Sequence, residues 1–148
     1  MNKQQIEEFI NYAIKQLLEN DSVLLNLDVS ERAVMFHFAR YIREKVPADL
    51  DVDCEYNRHF SNKKQLLYLR GKLDMENDYA VLPDILIHKR NSDDQNVLVV
   101  EMKKYGEDIE ADIRKLEAFK NEPYSYDFAI QIVIGNPDSE TGVDFRFV

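Results

Sequence analysis

The sequence predicts an α/β fold in which a mixed central sheet is flanked by helices. Three observations lead to this prediction. Two segments near the N-terminus repeat apolar residues every three or four positions, as amphipathic helices do. Two runs rich in Ile, Leu and Val, DILIHKR and NVLVVEMKK, enclose the polar cluster NSDDQN, which is typical of a β-hairpin. A third amphipathic helix then separates this hairpin from another apolar run.

The length of 148 residues predicts one domain over 1–148, because a chain of this size buries about two thirds of the surface that its unfolded form exposes. Hydrophobic residues make up 45% of the chain and charged residues 32%, which is typical of a compact soluble protein. The single cysteine, Cys54, excludes an internal disulfide and a cysteine-rich zinc site, and we expect a small buried or half-buried side chain there.

The N-terminal segment MNKQQIEEF lacks the apolar core of a signal peptide. No later window approaches the ~20 apolar residues of a membrane span. We therefore expect a cytoplasmic protein without membrane partners, and nothing in the sequence indicates homo-oligomerisation.

The first two helices and the first strand are predicted from the spacing of apolar residues and from residues that end helices. Apolar positions from 6 to 18 predict a helix that ends near Asn20. A second helix begins at 28–30, carries an apolar stripe over 34–42 and is stopped by Pro47. The segment 51–57, DVDCEYN, alternates well enough to form the first strand of the sheet.

The hairpin places charge at one end of two apolar strands. If its turn centres near Asp93 and Asp94, Asp84 lies opposite the end of the partner strand that carries Glu101 and Lys103. The two-residue period of a strand puts Glu101 and Lys103 on one face. Charges are seldom buried unless they are paired or hold a metal, so this arrangement indicates a functional site.

A strand-helix-strand unit follows the hairpin. Asp108 or Glu107 is predicted to cap a helix whose apolar stripe runs from Ile109 to Phe119. The next strand, YDFAIQIVI, should run parallel to the second hairpin strand because a helix connects the two. The C-terminal DFRFV is short enough to be an edge strand.

A bound hard divalent cation would account for two carboxylates that lie close together, because such cations take oxygen ligands and are commonly held by one or two carboxylates. Asp84 and Glu101 would hold Mg²⁺, with Mn²⁺ as a substitute, and Lys103 would touch the attacking water or the scissile phosphate. The predicted reaction is phosphodiester hydrolysis. The sequence has no phosphate loop, GxSxG elbow or dinucleotide fingerprint, so kinases, serine hydrolases and Rossmann oxidoreductases lack support.

The same residues resemble the PD-(D/E)XK nucleases, the restriction-endonuclease-like superfamily, and in particular its small uncharacterised members. The resemblance covers roughly 30–119 and consists of five blocks in order: SERAVMFHFARYI, DVDCEYNR, PDILIHKR, VVEMKK and DIRKLEAF. It implies a restriction-endonuclease-like fold, metal ligands at Asp84 and Glu101, a catalytic lysine at Lys103, and an acidic residue on an upstream helix. Glu31 would be that acidic residue.

Glu31 has two interpretations. It lies at the head of the apolar stripe of its helix, so its carboxylate turns towards the core side and could approach Asp84 and Glu101 as a further metal ligand and catalytic residue. With Asp28 as the helix cap, Glu31 would instead complete a capping box or complement the helix dipole.

Other polar residues are candidates for substrate contacts. Arg58, which follows the first strand, could hold a phosphate through its planar guanidinium or could form a surface ion pair. Asn57 and Lys115 are the other predicted substrate-binding residues. Asp112 and Gln131 are expected to orient the site or the substrate.

The net charge of −9 opposes nucleic-acid binding, because Lys and Arg contacts to phosphates supply much of that affinity. The stretch 58–72 is different, since it holds five basic residues and no acid, and it could follow a nucleic-acid backbone or form a solvated loop. The sequence thus predicts a metal-dependent nuclease, a hydrolase acting on DNA rather than RNA. The alternative is a catalytically silent nuclease-like module that binds protein or nucleic acid.

Overall fold

The structure is a computed structural model that describes residues 1–27, 29–56, 58–59, 62–63 and 82–148. Its helices are α1 (Lys3–Asn20), α2 (Ser22–Asn26), α3 (Glu31–Arg43) and α4 (Glu110–Lys120). Its strands are β1 (Asp51–Cys54), β2 (Arg58–His59), β3 (Asn62–Lys63), β4 (Ile85–His88), β5 (Asn96–Lys104), β6 (Phe128–Ile134) and β7 (Val143–Phe147).

Within the described residues, the central sheet has five strands in the order β1-β4-β5-β6-β7, and β2 pairs with β3 separately. Its β5–β6 pair is parallel, and its other neighbouring strands are antiparallel. The predicted α/β class with a mixed sheet and flanking helices is therefore confirmed.

Helix α1 starts at a reciprocal capping box and ends where the sequence predicts. Asn2 Oδ1 accepts a hydrogen bond of 2.9 Å from the Gln5 backbone N–H, and Gln5 Oε1 accepts one of 2.9 Å from the Asn2 N–H. The apolar positions of the repeat are buried: Ile6, Ile10, Ala13, Ile14 and Leu17.

Helix α3 begins at Glu31, with Ser30 at the capping position. Arg40 and Arg43 occupy its last turn, where cations complement the helix dipole. The helix ends at Arg43, before Pro47 is reached. Asp28, the predicted capping residue, lies outside the described residues.

The hairpin of β4 and β5 places Asp84 at the predicted end of β5, but its turn centres on Ser92 rather than on Asp93 and Asp94, because His88 pairs with Asn96. Ile85 pairs with Val100 and Leu86 with Val99, so Asp84, just before β4, stands at the level of Glu101. The register shifts by a bulge at His88, next to the turn.

The connection from β5 through α4 to β6 returns the chain parallel to β5, as predicted. Asp108 Oδ1 accepts a hydrogen bond of 2.8 Å from the backbone N–H of Glu110, at the first residue of α4. β7 lies at one edge of the sheet and β1 at the other. Cys54, at the end of β1, is exposed rather than buried or half-buried.

The sheet has two faces with different partners. On one face, Val100 and Met102 belong to the large core with residues of α1 and α3. On the other face, Leu86 and Val99 pack with Leu116 and Phe119 of α4. Glu101 and Lys103 share the α4 face with Val99, because side chains alternate along β5. The charged residues Glu101 and Lys103 therefore lie on the face of the sheet that α4 covers.

Candidate active site

The charged end of the hairpin brings Asp84 and Glu101 together. The Glu101 residue is only 3% exposed, and Asp84 is half-buried. Asp84 Oδ2 accepts a hydrogen bond of 2.7 Å from the backbone N–H of Met102, so the aspartate is fixed to the strand that carries Glu101. Burial raises the pKa of Asp84, against the opposing effects of the Met102 N–H and of Lys115.

Glu101 is paired with a lysine from α4. Lys115 Nζ lies 2.8 Å from each carboxylate oxygen and donates a hydrogen bond to Oε2. Glu101 Oε1 accepts no hydrogen bond from any side chain or backbone group in the described ranges. Burial raises the pKa of Glu101 from 4.5 to about 8, despite the attraction of Lys115, and the charge of Asp84 adds to the rise. The site thus holds a carboxyl group whose ionisation is unfavourable in the fold.

Lys103 faces the same side as Glu101 but contacts other acids. Its Nζ lies 3.7 Å from Asp112 Oδ2 and 3.9 Å from Glu107 Oε2. Burial lowers the pKa of Lys103, but the charges of Asp112 and Glu31 outweigh burial and raise it above its usual value. Lys103 is therefore a fixed positive charge at neutral pH rather than a proton acceptor.

Glu31 approaches the site from the helix on the opposite face of the sheet. Burial raises its pKa, the charge of Lys103 lowers it, and the charge of Asp84 raises it. Glu31 is the first residue of α3, and the Ser30 side chain caps none of the described backbone N–H groups. The alternative capping box with Asp28 is wrong, because Ser30 occupies the capping position and Glu31 is the first rather than the third residue of the helix. Glu31 is thus coupled by charge to Asp84 and Lys103.

Asp112 and Gln131 complete the polar part of the α4 face. Gln131 pairs with Glu101 in the register of β5 and β6, and it is fully buried. Its Nε2 donates to the Ile132 carbonyl at 3.1 Å, while its Oε1 has no hydrogen-bond donor among the described residues. Asp112 Oδ2 is likewise buried without a described donor. Asp112 Oδ2 and Gln131 Oε1 are thus buried acceptor oxygens for which the described part of the chain supplies no donor.

The three predicted substrate-binding residues differ in how much of them the structure describes. Asn57 lies outside the described residues, as does most of the basic stretch 58–72. Arg58 is in β2, where it pairs with Lys63. Lys115, the third of the predicted substrate-binding residues, is placed, and its ammonium contacts Glu101.

Contacts made by Glu107 and by the Leu82 carbonyl were missed in the sequence analysis. Leu82 O accepts a hydrogen bond of 2.7 Å from Lys115 Nζ. A backbone carbonyl leaves no sequence signal. Glu107 was considered only as a helix cap, and its contact of 3.9 Å with Lys103 Nζ forms because the chain turns after β5.

His88 belongs to a separate cluster near the hairpin turn. It is 3% exposed, and its Nε2 lies 3.0 Å from Asp53 Oδ2. Arg90 also donates to Asp53. Burial raises the pKa of Asp53, but the hydrogen bonds from His88 and Arg90 outweigh it and hold that pKa well below its usual value.

The donor set suits a hard cation held by two carboxylates. Within the parts of the chain that the structure describes, no three side chains from Asp, Glu, His and Cys are grouped to hold one metal ion. Magnesium is commonly bound by one or two carboxylates, with water and substrate oxygens completing its shell. Asp84 and Glu101 supply such a pair, and Glu101 has an oxygen without a hydrogen-bond donor among the described residues.

Fold and site together define an α/β protein with two acids and a lysine at the end of a central hairpin. No family model, no curated protein and no solved structure matches the chain. Among the described helices, none combines the length and the apolar character needed to cross a lipid bilayer.

Proposed function

We propose that this protein is a metal-dependent nuclease of the PD-(D/E)XK type, with a restriction-endonuclease-like fold. One observation carries the proposal: Asp84 and Glu101 meet across β4 and β5, and Lys103 extends from the same face as Glu101. Two acids and a lysine at one end of an otherwise apolar hairpin suit hydrolysis of a phosphodiester bond.

Asp84 and Glu101 would hold Mg²⁺, or Mn²⁺ in its place. The bound cation would polarise the scissile phosphate and lower the pKa of a coordinated water. The Met102 N–H orients Asp84 at 2.7 Å, which fixes one of the two carboxylates before any ligand binds. Glu31, at the head of α3, would contribute a third carboxylate through water, since it is not grouped with Asp84 and Glu101 closely enough to hold the same ion directly.

Lys103 is suited to stabilising negative charge. Its raised pKa keeps the ammonium charged at neutral pH, where it can orient the attacking water and offset the charge that develops on the phosphate. Asp112 and Glu107, at 3.7 and 3.9 Å, hold the lysine near the site before substrate arrives. We assign Lys103 no role as a base.

The proposed substrate is nucleic acid, with DNA favoured over RNA, and the proposed location is the cytoplasm. Arg58 and Asn57 would contact the substrate backbone, together with the basic stretch 58–72. This concentration of positive charge offsets the net charge of −9 locally.

Cleavage of linear DNA in Mg²⁺ or Mn²⁺ tests the proposal. We expect Asp84→Asn to abolish cleavage and Lys103→Ala to reduce it by about 10²-fold or more, since removing one group that stabilises the transition state typically has such an effect. Lys89→Ala is the matched control, because Lys89 is exposed on the same hairpin, at the end next to the turn. Full cleavage by Asp84→Asn would contradict the proposed site, and full cleavage by Lys103→Ala would remove Lys103 from its role.

A second function is favoured by the Lys115 contact. Because this lysine lies 2.8 Å from both oxygens of Glu101, the chain could instead be a silent nuclease-like module that binds protein or nucleic acid. Titration with divalent cations and the dependence of binding on salt distinguish the two functions. A silent module would bind without cleavage, and its affinity would fall steeply with salt only if the partner were nucleic acid.

A further inference from the structure

The ammonium group of Lys115 is surrounded by oxygen atoms. Its Nζ lies 2.8 Å from Glu101 Oε1, 2.8 Å from Glu101 Oε2 and 2.7 Å from the Leu82 carbonyl oxygen. Only 18% of the Lys115 side chain and 4% of the Glu101 side chain are exposed. The charge of Asp84 also acts on this region, since Lys115 and Asp84 interact electrostatically.

These surroundings are those of a hard cation. Carboxylate oxygens and backbone carbonyls are the usual ligands of hard divalent cations, and the nearby Asp84 is the second carboxylate of the proposed centre. An ammonium has three donors, and Lys115 directs them at this oxygen set. It donates hydrogen bonds to Glu101 Oε2 and to the Leu82 carbonyl, and it contacts Glu101 Oε1 at 2.8 Å as an ion pair.

Helix α4 fixes the position of this ammonium. Leu116 and Phe119, on the same helix, are fully buried against Leu86 and Val99 of the sheet. Because the helix is anchored there, the Lys115 side chain is held over the carboxylates rather than free to remain in solvent.

We propose that Lys115 is an internal counter-cation that occupies the Glu101 end of the metal centre and competes with the divalent cation for it. In the absence of metal the ammonium occupies the position beside the Glu101 carboxyl group, and it has to leave when metal binds. This inference rests on the metal centre of the proposed function but not on hydrolysis.

Calorimetric titration of the full chain with MnCl₂ and with MgCl₂ tests the competition. We expect Lys115→Met to bind either cation about 10- to 100-fold more tightly than the natural chain, because a hydrogen bond to a charged group is worth about one to two powers of ten in an equilibrium constant. Lys120→Met is the matched control. Lys120 lies on the same helix, its Nζ donates to the Val148 carbonyl at 2.8 Å, and its removal changes the net charge equally.

A second variant, Lys115→Gln, keeps the test valid if Lys115→Met fails to fold. Lys115→Gln keeps a hydrogen-bond donor beside Glu101 while removing the charge, so it is expected to tighten cation binding in the same direction. The double variant Lys115→Met with Glu101→Gln should lose the gain, because the carboxylate that both cations need is gone. Magnesium should also raise the melting temperature of Lys115→Met more than that of the natural chain.

The outcomes separate this inference from the proposed function. Tighter binding in both Lys115 variants, with Lys120→Met unchanged, supports the counter-cation whether or not the chain cleaves DNA. Binding in the variants with none in the natural chain also supports it, and that result would favour the silent module. Equal or weaker binding in the Lys115 variants, or no binding by any of them, would overturn it even if cleavage were observed.

Discussion

Replacing Glu101 with Gln should make the protein more stable at alkaline pH. Glu101 is 3% exposed, and burial raises its pKa from 4.5 to about 8. Gln has nearly the same shape and never ionises. The comparison therefore isolates the free energy of forming a carboxylate at this position of β5.

The sign follows from proton linkage. A carboxyl group whose pKa is higher in the folded than in the unfolded state keeps its proton longer in the folded state, so ionisation lowers the free energy of unfolding as pH rises from about 4.5 to about 8. At 1.36 kcal/mol per pH unit, this interval corresponds to at most roughly 5 kcal/mol. We expect Glu101→Gln to match the natural chain within about 1 kcal/mol at pH 5 and to exceed it by about 2–5 kcal/mol at pH 9.

Urea unfolding followed by circular dichroism, from pH 5 to pH 9 in chelator-containing buffer, measures this difference. Glu117→Gln is the control. Glu117 is exposed on α4, so its substitution should change the free energy of unfolding by less than about 0.5 kcal/mol at each pH. A difference between Glu101→Gln and the natural chain that stays constant or falls with pH would refute the reasoning, because the attraction of Lys115 would then outweigh burial.

Two further predictions concern the framework around the site. Asp53→Asn should lower the free energy of unfolding by about 2 kcal/mol at pH 7, because Arg90 and the buried His88 both lose a charged hydrogen-bond acceptor. The pKa of Asp53 is depressed in the fold, so this difference from the natural chain should shrink as the pH falls below about 4, which denaturation at pH 7, 4 and 3 would check. Phe119→Ala should cost about 3–5 kcal/mol, because Phe119 is fully buried and fastens α4 to the sheet. A loss below about 1 kcal/mol in thermal unfolding would contradict that packing role.

The hairpin could be predicted in detail because its signals are local. The polar turn fixes the register, and the register puts Asp84 at the level of Glu101. Alternation along β5 then assigns Glu101 and Lys103 to one face. The parallel pairing of β5 with β6 was also predictable, since a single helix connects them.

The charge partners could not be predicted in the same way. Lys103 was expected beside the metal ligands, but its nearest acids are Asp112 and Glu107, while Lys115 contacts Glu101. Which lysine meets which carboxylate depends on how α4 seats on the sheet. The position of α4 depends in turn on how Leu116 and Phe119 pack against the sheet. The sequence predicts which residues form the apolar face of the helix, but not where that face lies on the sheet.

The sequence by itself determined helices α1, α3 and α4, the pairing of the hairpin strands and the shared face of Glu101 and Lys103, because periodicity and turn chemistry act over short distances; it did not indicate α2, β2 or β3. Tertiary structure alone decided that Glu101 is buried against an ammonium from another element and that Glu31 approaches from the opposite face of the sheet. These features depend on burial and on contacts between segments far apart in the chain, and both exist only once the helices have packed on the sheet.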